Sequence, residues 1–422
     1  MLLVLYNLGL LVAMALALPY FLFQRFVRGR EYAGWRERNG RLPADLNPER
    51  APSIWVHAVS VGEVLAARPL LARLKARLPR HRLLLSTTTV AGQRLAQRSP
   101  GAADGVFYAP FDWRPAVERA LETVRPELLL LMETELWPNL IHAAHRRGVR
   151  LAVVNGRISP RSFPRYRRVR PLLAPLLAEV DLFLMQAQPH AERAVAIGAP
   201  AARVRAPGNL KYDGLGDGRA DPEIARLLGG PGPLWVCGST VEGEEAFVLA
   251  AFSEVRRAHP RARLLIAPRH PERFGAIPSL VTAAGLRCAR RTELGPDGWS
   301  DGDVLVLDTI GELASIYALA SVVFIGGSLI SRGGHNILEA AVSGKAVIVG
   351  PHMENFQEIA DEFLSEDALV QIASPLGLGA AVLGLMSDPA RREAIGARAR
   401  RIIERNRGAV SATLAALEGL LG

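Results

Sequence analysis

Short apolar runs alternate with segments that carry apolar residues at helical spacing along most of the chain. In the first half, this spacing predicts helices at about 63–77, 90–97, 113–123, 137–147, 163–178 and 189–196. The apolar runs between them predict strands at Ile54–Ala58, Arg82–Ser86, Gly105–Tyr108, Leu128–Leu131, Leu151–Val154, Leu182–Met185 and Val204–Ala206. Repeated alternation of strands and helices is typical of a parallel, doubly wound sheet.

The same alternation starts again in the second half. It predicts strands at Leu234–Cys237, Arg263–Ile266, Val304–Leu307, Val322–Ile325, Ala346–Val349 and Leu369–Ile372, followed by a helical tail at 374–421. The two series predict an α/β fold with two Rossmann-like, doubly wound domains that face each other across a cleft. Ligands of such sheets bind at the carboxyl ends of the strands, so the strand-end loops are the candidate sites.

Changes in composition give the expected domain boundaries. The first domain is expected at 51–210 and the second at 233–422, with the last helix packing back on the first domain. The stretch 211–232 is rich in Gly, Asp and Pro, which is typical of an interdomain linker. Ahead of the first domain, residues 24–50 form a basic segment.

Residues 1–23 contain no charged side chain and are long enough to cross a bilayer of roughly 30 Å. No positive charge precedes this run, as it would in a signal peptide, although the sequence at 15–17 resembles a cleavage site and keeps secretion as an alternative. Arginines follow the run, at Arg25, Arg28 and Arg30 among others. The positive-inside rule therefore predicts a single N-terminal transmembrane anchor with the bulk of the protein on the cytoplasmic side, and the basic flank predicts contact with anionic lipid of the inner leaflet.

Composition narrows the classes of partner and of site. The net charge is +10 in 422 residues, and nearly all of the basic side chains are arginine. A basic balance suits anionic substrates, and the lack of a basic tail or zinc finger disfavours a nucleic-acid partner. The two cysteines, Cys237 and Cys288, lie far apart and outside any metal-binding spacing, which disfavours disulfides and structural zinc.

Residues 322–358 form the most informative stretch. The strand Val322–Ile325 runs into Gly326-Gly327-Ser328, and a predicted helix opens at His335-Asn336. Backbone N–H groups and a helix N-terminus suit a phosphate, and Glu339 is placed to accept hydrogen bonds from ribose hydroxyls. We interpret the stretch as a nucleotide-sugar donor site; an ordinary βαβ unit with Gly-rich turns is the alternative.

Carboxylates follow two predicted strands of the first half. Glu63 lies where a strand ends and a helix begins, so it is either a general base or the capping-box partner of Ser60. Glu133 and Glu135 follow a later strand, as an acid pair or as acids that favour a helix start.

Basic side chains follow the other strand ends of that half. Arg157, Arg161 and Arg165 belong to a cluster that suits phosphates of an acceptor or, equally well, a solvated helix face. Lys211, one of three lysines, lies at the expected domain boundary and invites a role in holding an anion.

Other chemistries lack their motifs. The chain has no P-loop, no G-x-G-x-x-G after a strand, no G-x-S-x-G elbow and no HExxH. The pair Asp301 and Asp303 resembles a metal-binding acid pair, but it precedes a strand in a turn-like run. We therefore expect no metal and no cofactor, with cationic side chains and helix N-termini neutralising a leaving phosphate.

Eight motifs together resemble the 3-deoxy-D-manno-octulosonic acid (Kdo) transferases of lipopolysaccharide synthesis. They are HAVSVGE (57–63), METELWPN (132–139), NGRIS (155–159), GNLKYD (208–213), GSTVEGEE (238–245), PRHPERF (268–274), DTIGEL (308–313) and GGSLISRGGHNILEAA (326–341). The resemblance implies a GT-B glycosyltransferase with an acceptor domain first and a CMP-Kdo donor domain second. It also implies inversion at the anomeric carbon, a tetra-acylated lipid A precursor (lipid IVA) as acceptor, and no bound metal.

The resemblance also implies roles for single residues. Glu63 would be the general base, assisted by Glu133, with Glu135 as the alternative. The donor-binding residues would be Arg157, Lys211, Ser239, Arg269, His270, Gly311, Glu312, Leu313, Ser328, Asn336 and Glu339. The acceptor-binding residues would be Ser60, Gly62, Arg161 and Arg165. Val241 stands where the family usually has a histidine.

The leading hypothesis is thus a Kdo transferase at the inner membrane, with CMP-Kdo, the lipid A precursor and anionic lipid as its partners. Two alternatives belong to other classes. One is a GT-B lipid glycosyltransferase that uses a UDP-sugar, and the other is a non-catalytic, membrane-tethered sugar-binding protein. Competition between CMP and UDP separates the two enzymes, and ligand binding without CMP release would indicate the third.

Overall fold

The computed structural model describes residues 2–26, 33–300 and 302–421. The chain divides into two compact units, Met1–Gly214 together with Asn406–Gly422, and Leu215–Arg405. Each unit contains one sheet of seven parallel strands.

The sheet of the first unit has the strand order β3-β2-β1-β4-β5-β6-β7. Its strands are β1 Ser53–His57, β2 Arg82–Thr87, β3 Gly105–Tyr108, β4 Pro126–Met132, β5 Arg150–Gly156, β6 Leu182–Met185 and β7 Val204–Arg205. These seven strands confirm the prediction. The central strands are buried on both faces, which is why they are continuous apolar runs.

The first unit also contains helices, most of which cover the two faces of its sheet. They are α1 Leu2–Phe26, α2 Trp35–Arg38, α3 Val61–Arg77, α4 Val90–Arg98, α5 Arg114–Val124, α6 Pro138–Arg146, α7 Phe163–Arg168, α8 Arg170–Leu177 and α9 Gln188–Ala196. The helix predicted at 163–178 is therefore two helices. Pro171 stands in the first turn of α8, where a missing backbone N–H is tolerated, whereas within one continuous helix it would break the hydrogen-bond ladder. The last helix, Ala409–Leu421, packs against the core face that α3 also covers.

The N-terminal run is helical, as α1. Within the described part of the chain, however, no helix combines the length and apolarity needed to cross a membrane, so the structure does not support the predicted transmembrane helix. Residues 27–32 of the predicted basic segment lie outside the described residues.

The sheet of the second unit has the strand order β10-β11-β9-β8-β12-β13-β14. Its strands are β8 Leu234–Thr240, β9 Arg263–Pro268, β10 Cys288–Arg290, β11 Val304–Val306, β12 Val322–Ile325, β13 Ala346–Val349 and β14 Val370–Gln371. The sequence predicted six of these strands and missed β10. That strand has three half-buried residues at the edge of the sheet, too few for an apolar pattern.

The helices of the second unit are α10 Pro222–Leu228, α11 Glu245–Ala258, α12 Ile277–Ala283, α13 Leu313–Tyr317, α14 Leu338–Ala341, α15 Gln357–Ser365, α16 Leu378–Ser387 and α17 Pro389–Asn406. Two expectations change. The stretch 211–232 contains α10, whose first turn is capped by Asp221. The helix predicted to open at His335-Asn336 is only the four-residue α14, so its dipole adds little at this loop.

Candidate functional site

The candidate site of the first unit lies where three adjacent central strands end. The strand order places β1, β4 and β5 side by side, so the loops that follow them meet at one edge of the sheet. The loops after β4 and β5 carry Glu133, Glu135 and Arg157, and Glu63 lies in the first turn of the helix α3 that follows β1. Lys211 joins them from the short helical turn Leu210–Tyr212.

Glu63 forms a capping box at the start of α3. The Ser60 hydroxyl caps α3 by accepting the Glu63 N–H at 3.5 Å, and it donates to Glu63 Oε1 at 2.9 Å. The Val59 N–H donates to Glu63 Oε2 at 2.9 Å. The capping alternative of the sequence analysis is therefore realised, and Gly62 lies in the same first turn.

The environment of Glu63 also suits a general base. Its side chain is buried, and this burial raises its pKa to about 7, with the charges of Glu133 and Glu135 acting in the same direction. A carboxylate whose pKa lies near neutrality accepts a proton far better than an ordinary one. Capping and catalysis are thus compatible at this position.

Backbone strain marks the neighbouring strand ends. Glu133 (φ 53°) and Asn155 (φ 56°) are non-glycine residues in the left-handed region, directly after or at the end of β4 and β5. Asn155 Oδ1 accepts the Leu210 N–H at 3.0 Å, and the Glu133 N–H donates to the Val154 carbonyl at 2.9 Å. Strain of this kind persists where the surrounding contacts enforce it, and it concentrates at functional sites.

The two acids of METELWPN have different partners. Lys211 Nζ lies 3.1 Å from Glu133 Oε1, whereas Trp137 Nε1 donates to Glu135 Oε2 at 2.7 Å. Burial raises the pKa of Glu135, and the nearby Glu133 carboxylate acts in the same direction. Glu133 is therefore paired with the Lys211 ammonium group, whereas Glu135 accepts a hydrogen bond from the Trp137 indole.

A buried amide network supports Lys211, and one of its members was missed by the sequence analysis. Gln186 follows β6 directly, donates to the Asn155 carbonyl at 3.0 Å and accepts from Asn209 Nδ2 at 3.2 Å. Asn209 Oδ1 in turn accepts the Lys211 N–H at 3.1 Å. The sequence did contain a signal for Gln186, since it is a polar residue directly after a predicted strand, where ligands of such sheets bind.

The predicted acceptor arginines lie on an exposed surface. Arg161 precedes α7 and Arg165 lies within it, where its guanidinium stacks 5.8 Å from the Tyr166 ring centroid. Arg157 follows β5, and its carbonyl accepts the Thr134 hydroxyl, which ties the β4 and β5 loops together.

In the second unit, a buried carboxylate organises the Gly-rich loop. Glu244 is fully buried and accepts N–H groups from Gly327 at 2.7 Å, Leu329 at 2.8 Å and Val241 at 3.0 Å. Burial raises its pKa. The N–H groups of Gly327 and Leu329, which we expected to face a phosphate, are therefore bonded to the protein itself.

The Ser328 side chain connects this loop to the neighbouring strand ends. It is fully buried, donates to the Ile325 carbonyl at 2.5 Å and accepts the Gly350 N–H at 2.9 Å. Its hydroxyl therefore shapes the loop instead of facing solvent. At Gly326, a Cβ atom would meet the Ser239 carbonyl at 2.5 Å, so only glycine fits.

The remaining donor-site candidates form two groups. In the first, Asn336 Nδ2 donates to Glu339 Oε1 at 3.4 Å. Burial raises the pKa of Glu339, and the bond from Asn336 and the charge of Arg269 oppose this rise. Burial, followed by the charges of Arg269 and His270, lowers the pKa of His335 to about 4. Ser239 (φ 56°) adds a third strained residue, at the carboxyl-terminal part of β8.

The second group surrounds Glu312, between Gly311 and Leu313. Its carboxylate accepts from Arg291 Nη2 at 2.9 Å and from the Thr309 hydroxyl at 2.6 Å. The sequence analysis missed Arg291 because it follows β10, the strand that it also missed.

No group of three or more His, Cys, Asp or Glu side chains in the described ranges could hold a metal ion. Asp301 of the considered acid pair lies outside those ranges, and Asp303 pairs with Arg256 at 3.1 Å. Metal-independent chemistry stays a prediction.

The fold resembles that of solved structures with two parallel-sheet α/β domains. A solved glycosyltransferase of Rickettsia africae matches with a TM-score of 0.58 at 11% identity, over 88% of this chain and 99% of that one. A putative UDP-N-acetylglucosamine 2-epimerase of Listeria monocytogenes matches with a TM-score of 0.60 at 14% identity, over 87% and 96%. These likenesses confirm the predicted architecture of two parallel-sheet α/β domains.

Comparison of sequences identifies the family. Residues 33–214 match the family model described as 3-deoxy-D-manno-octulosonic-acid transferase (kdotransferase). The 3-deoxy-D-manno-octulosonic acid transferase of Bordetella pertussis is 37% identical over 91% of both chains, and that of Haemophilus influenzae is 32% identical over 87% of both. The chain belongs to this family and is a glycosyltransferase, as the eight motifs predicted.

Proposed function

We propose that this enzyme transfers Kdo from CMP-Kdo to the lipid A precursor lipid IVA, with inversion at the anomeric carbon and Glu63 as general base. The observation that carries the proposal is the buried Glu63 carboxylate, whose pKa is raised to about 7 at an edge of the sheet where two further acids follow the adjacent strand. Membership of the Kdo transferase family supports the donor and the sugar transferred.

In the proposed reaction, Glu63 accepts the proton of the acceptor hydroxyl as that oxygen attacks the anomeric carbon. The new carbon–oxygen bond forms on the face opposite the bond that breaks, and the electron pair of the broken bond leaves with the phosphate of CMP. Glu133, held by Lys211 at 3.1 Å, assists by raising the proton affinity of Glu63. In this proposal Arg157 and Lys211 act on the donor carboxylate or the leaving phosphate.

The proposed donor site lies in the second unit and needs neither metal nor cofactor. Arg269 and His270 would contact the phosphate or base of CMP, Glu339 and Asn336 the ribose, and residues 311–313 the cytidine. Ser239 lies next to the Gly-rich loop. We propose that it contacts the donor, because a strained backbone of this kind is typical of ligand sites. We assign Ser328 and Glu244 to support of that loop, since both are buried beneath it.

We propose that the enzyme acts at the cytoplasmic side of the inner membrane and contacts anionic lipid through α1. Val4, Leu8 and Leu11 are exposed on this helix and line a groove of about 500 Å³. Arg114, Arg146 and Glu118 line the same groove, with Arg114 paired to Glu118 at 3.9 Å, so the charged lining has one net positive charge. Cationic side chains beside an apolar surface favour anionic headgroups.

A pair of amide hydrogen bonds fixes α1 to the first unit. Asn7 Nδ2 donates to Asn139 Oδ1 at 3.1 Å, and Asn139 Nδ2 donates to Asn7 Oδ1 at 2.8 Å. Lipid contact through α1 would therefore hold the first unit near the membrane. Ser60, Gly62, Arg161 and Arg165 are proposed to bind the acceptor there.

Mass spectrometry of the lipid product tests this function. Full-length enzyme incubated with CMP-Kdo and lipid IVA in mixed micelles is expected to yield lipid IVA enlarged by one or more Kdo residues, with one CMP released per Kdo. A matched reaction with UDP-sugars in place of CMP-Kdo is the control and is expected to leave the lipid unchanged. Transfer from the UDP-sugars alone would support the other glycosyltransferase, and binding without CMP release would support a sugar-binding protein.

A further inference from the structure

His57 lies at the carboxyl end of β1, six residues before Glu63, and has no role in the proposed reaction. Its ring is fully buried, and its Nδ1 atom is 2.8 Å from the Ser86 hydroxyl oxygen on β2. Burial lowers the pKa of His57 to about 3, so the ring is neutral at physiological pH. The Nε2 atom is also buried and has no hydrogen-bond partner in the described part of the chain. Such an atom requires an explanation.

The partners of Ser86 bear on which ring nitrogen of His57 carries the proton. Trp55 Nε1, which can only donate, lies 2.7 Å from Ser86 Oγ. The serine oxygen is thus an acceptor for Trp55, and its own proton is available for His57 Nδ1. The serine oxygen also has a second lone pair that can accept from an Nδ1–H group. We assign the arrangement in which Ser86 donates to Nδ1 and Nε2 carries the proton of the neutral ring.

Trp137 packs against the His57 ring. The His57 and Trp137 rings lie 4.7 Å apart between centroids and 76° apart in plane, an edge-to-face arrangement. Such a contact allows an N–H group to point at the face of the indole, where it makes a weak but real hydrogen bond. Trp137 in turn contacts one of the two acids, because its Nε1 donates to Glu135 Oε2 at 2.7 Å.

We propose that His57 is a positioning residue that acts through Trp137 to hold Glu135 beside Glu63. The side chains of Ser86, His57, Trp137 and Glu135 form one continuous chain of contacts from the sheet to the acid pair. The inference rests on the proposed role of Glu63, because Glu135 acts on the reaction through the proton affinity of that base. It also separates the two acids: Glu133 is held by Lys211, and Glu135 by Trp137 and His57.

A double-mutant cycle tests the chain. His57→Phe keeps a ring without N–H, and Trp137→Phe removes the indole donor. Each is expected to lower kcat about 10-fold, through displacement of Glu135, with KM for CMP-Kdo unchanged. The double variant is expected to be no slower than the slower single variant, because both substitutions break the same chain.

The control is Trp113→Phe, which changes a partly exposed indole of the same unit whose Nε1 has no hydrogen-bond partner among the described residues. It is expected to keep wild-type kcat. The inference is overturned if His57→Phe also keeps wild-type kcat, or if the two losses multiply in the double variant.

A second measurement needs no transfer activity. Nitrogen-15 NMR of the full chain labelled at its nine histidines is expected to show His57 as the neutral Nε2–H tautomer, identified by the signal that His57→Phe removes. An Nδ1–H tautomer would overturn the inference, because Nε2 would then present no proton to Trp137. Failure of the wild-type enzyme to transfer Kdo would contradict the proposed function. The tautomer of His57 is measured without transfer, so its result tests the chain of contacts separately.

Discussion

Glu63→Gln is expected to lower kcat for Kdo transfer by about 10³-fold, because the amide cannot accept the proton of the acceptor hydroxyl. CMP-Kdo affinity is expected to stay at the wild-type value, since the proposed donor residues of the second unit are untouched. Single-turnover kinetics and equilibrium binding of CMP-Kdo check the two parts. Near-wild-type turnover in the variant would exclude Glu63 as the base.

The same variant carries its own test of folding. The folded-state pKa of Glu63 is raised to about 7, so its contribution to stability is greatest below the pKa of the unfolded chain and is lost as pH rises towards 7. A glutamine bears no charge, and its oxygen can still accept the Val59 N–H. At pH 8 the variant is therefore expected to be more stable than wild type by about 2 kcal/mol, with no difference below pH 4. A variant less stable than wild type at pH 8 would show that the buried, ionised Glu63 carboxylate does not destabilise the fold.

Glu244→Ala is expected to destabilise the second unit by on the order of 3 kcal/mol, because it leaves the buried N–H groups of Gly327, Leu329 and Val241 without an acceptor. In a thermal melt this corresponds to a Tm lower by about 10 °C. The Gly-rich loop loses its support, so CMP-Kdo affinity is expected to fall at least about 10-fold.

Glu242→Ala is the matched control for Glu244→Ala. Glu242 lies two residues away, is highly exposed, and makes a surface ion pair with Arg273 at 3.2 Å. Its loss is expected to change stability by less than about 1 kcal/mol. Equal effects of the two substitutions would show that Glu244 does not organise the loop.

The fold was predictable where burial dictates the residue types. The strands β1, β4, β8 and β12 are buried on both faces, so each is a continuous apolar run that the sequence displays directly. The edge strand β10 is half-buried, and its sequence carries no such pattern. The predicted length of α14 was wrong for a related reason. The apolar residues at 337–342 are buried in the core, but irregular backbone at 333–337 precedes the helix and a turn at 342–344 ends it.

The site was predictable as a set of loops but not as a set of contacts. Glu63 and Glu133 each follow a predicted strand, and the carboxyl ends of parallel strands lie along one edge of a sheet, which made these loops the candidate sites. The bonds from Glu244 to a loop more than 80 residues away depend on the packed fold, and local spacing cannot reveal them. The raised pKa of Glu63 likewise follows from burial and from two acids on another strand.

The pH dependence of kcat/KM for the lipid acceptor tests most directly whether Glu63 is a base tuned by its neighbours. The wild-type enzyme is expected to lose activity on acidification with a midpoint near the Glu63 pKa of about 7. In Glu133→Gln the midpoint is expected to move to lower pH, because one negative charge near Glu63 is removed. Glu127→Gln, at the other end of β4 and exposed, is the control and is expected to leave the midpoint in place. A wild-type midpoint near 4.5, the ordinary pKa of a glutamate, or one that Glu133→Gln does not move, would contradict the assignment.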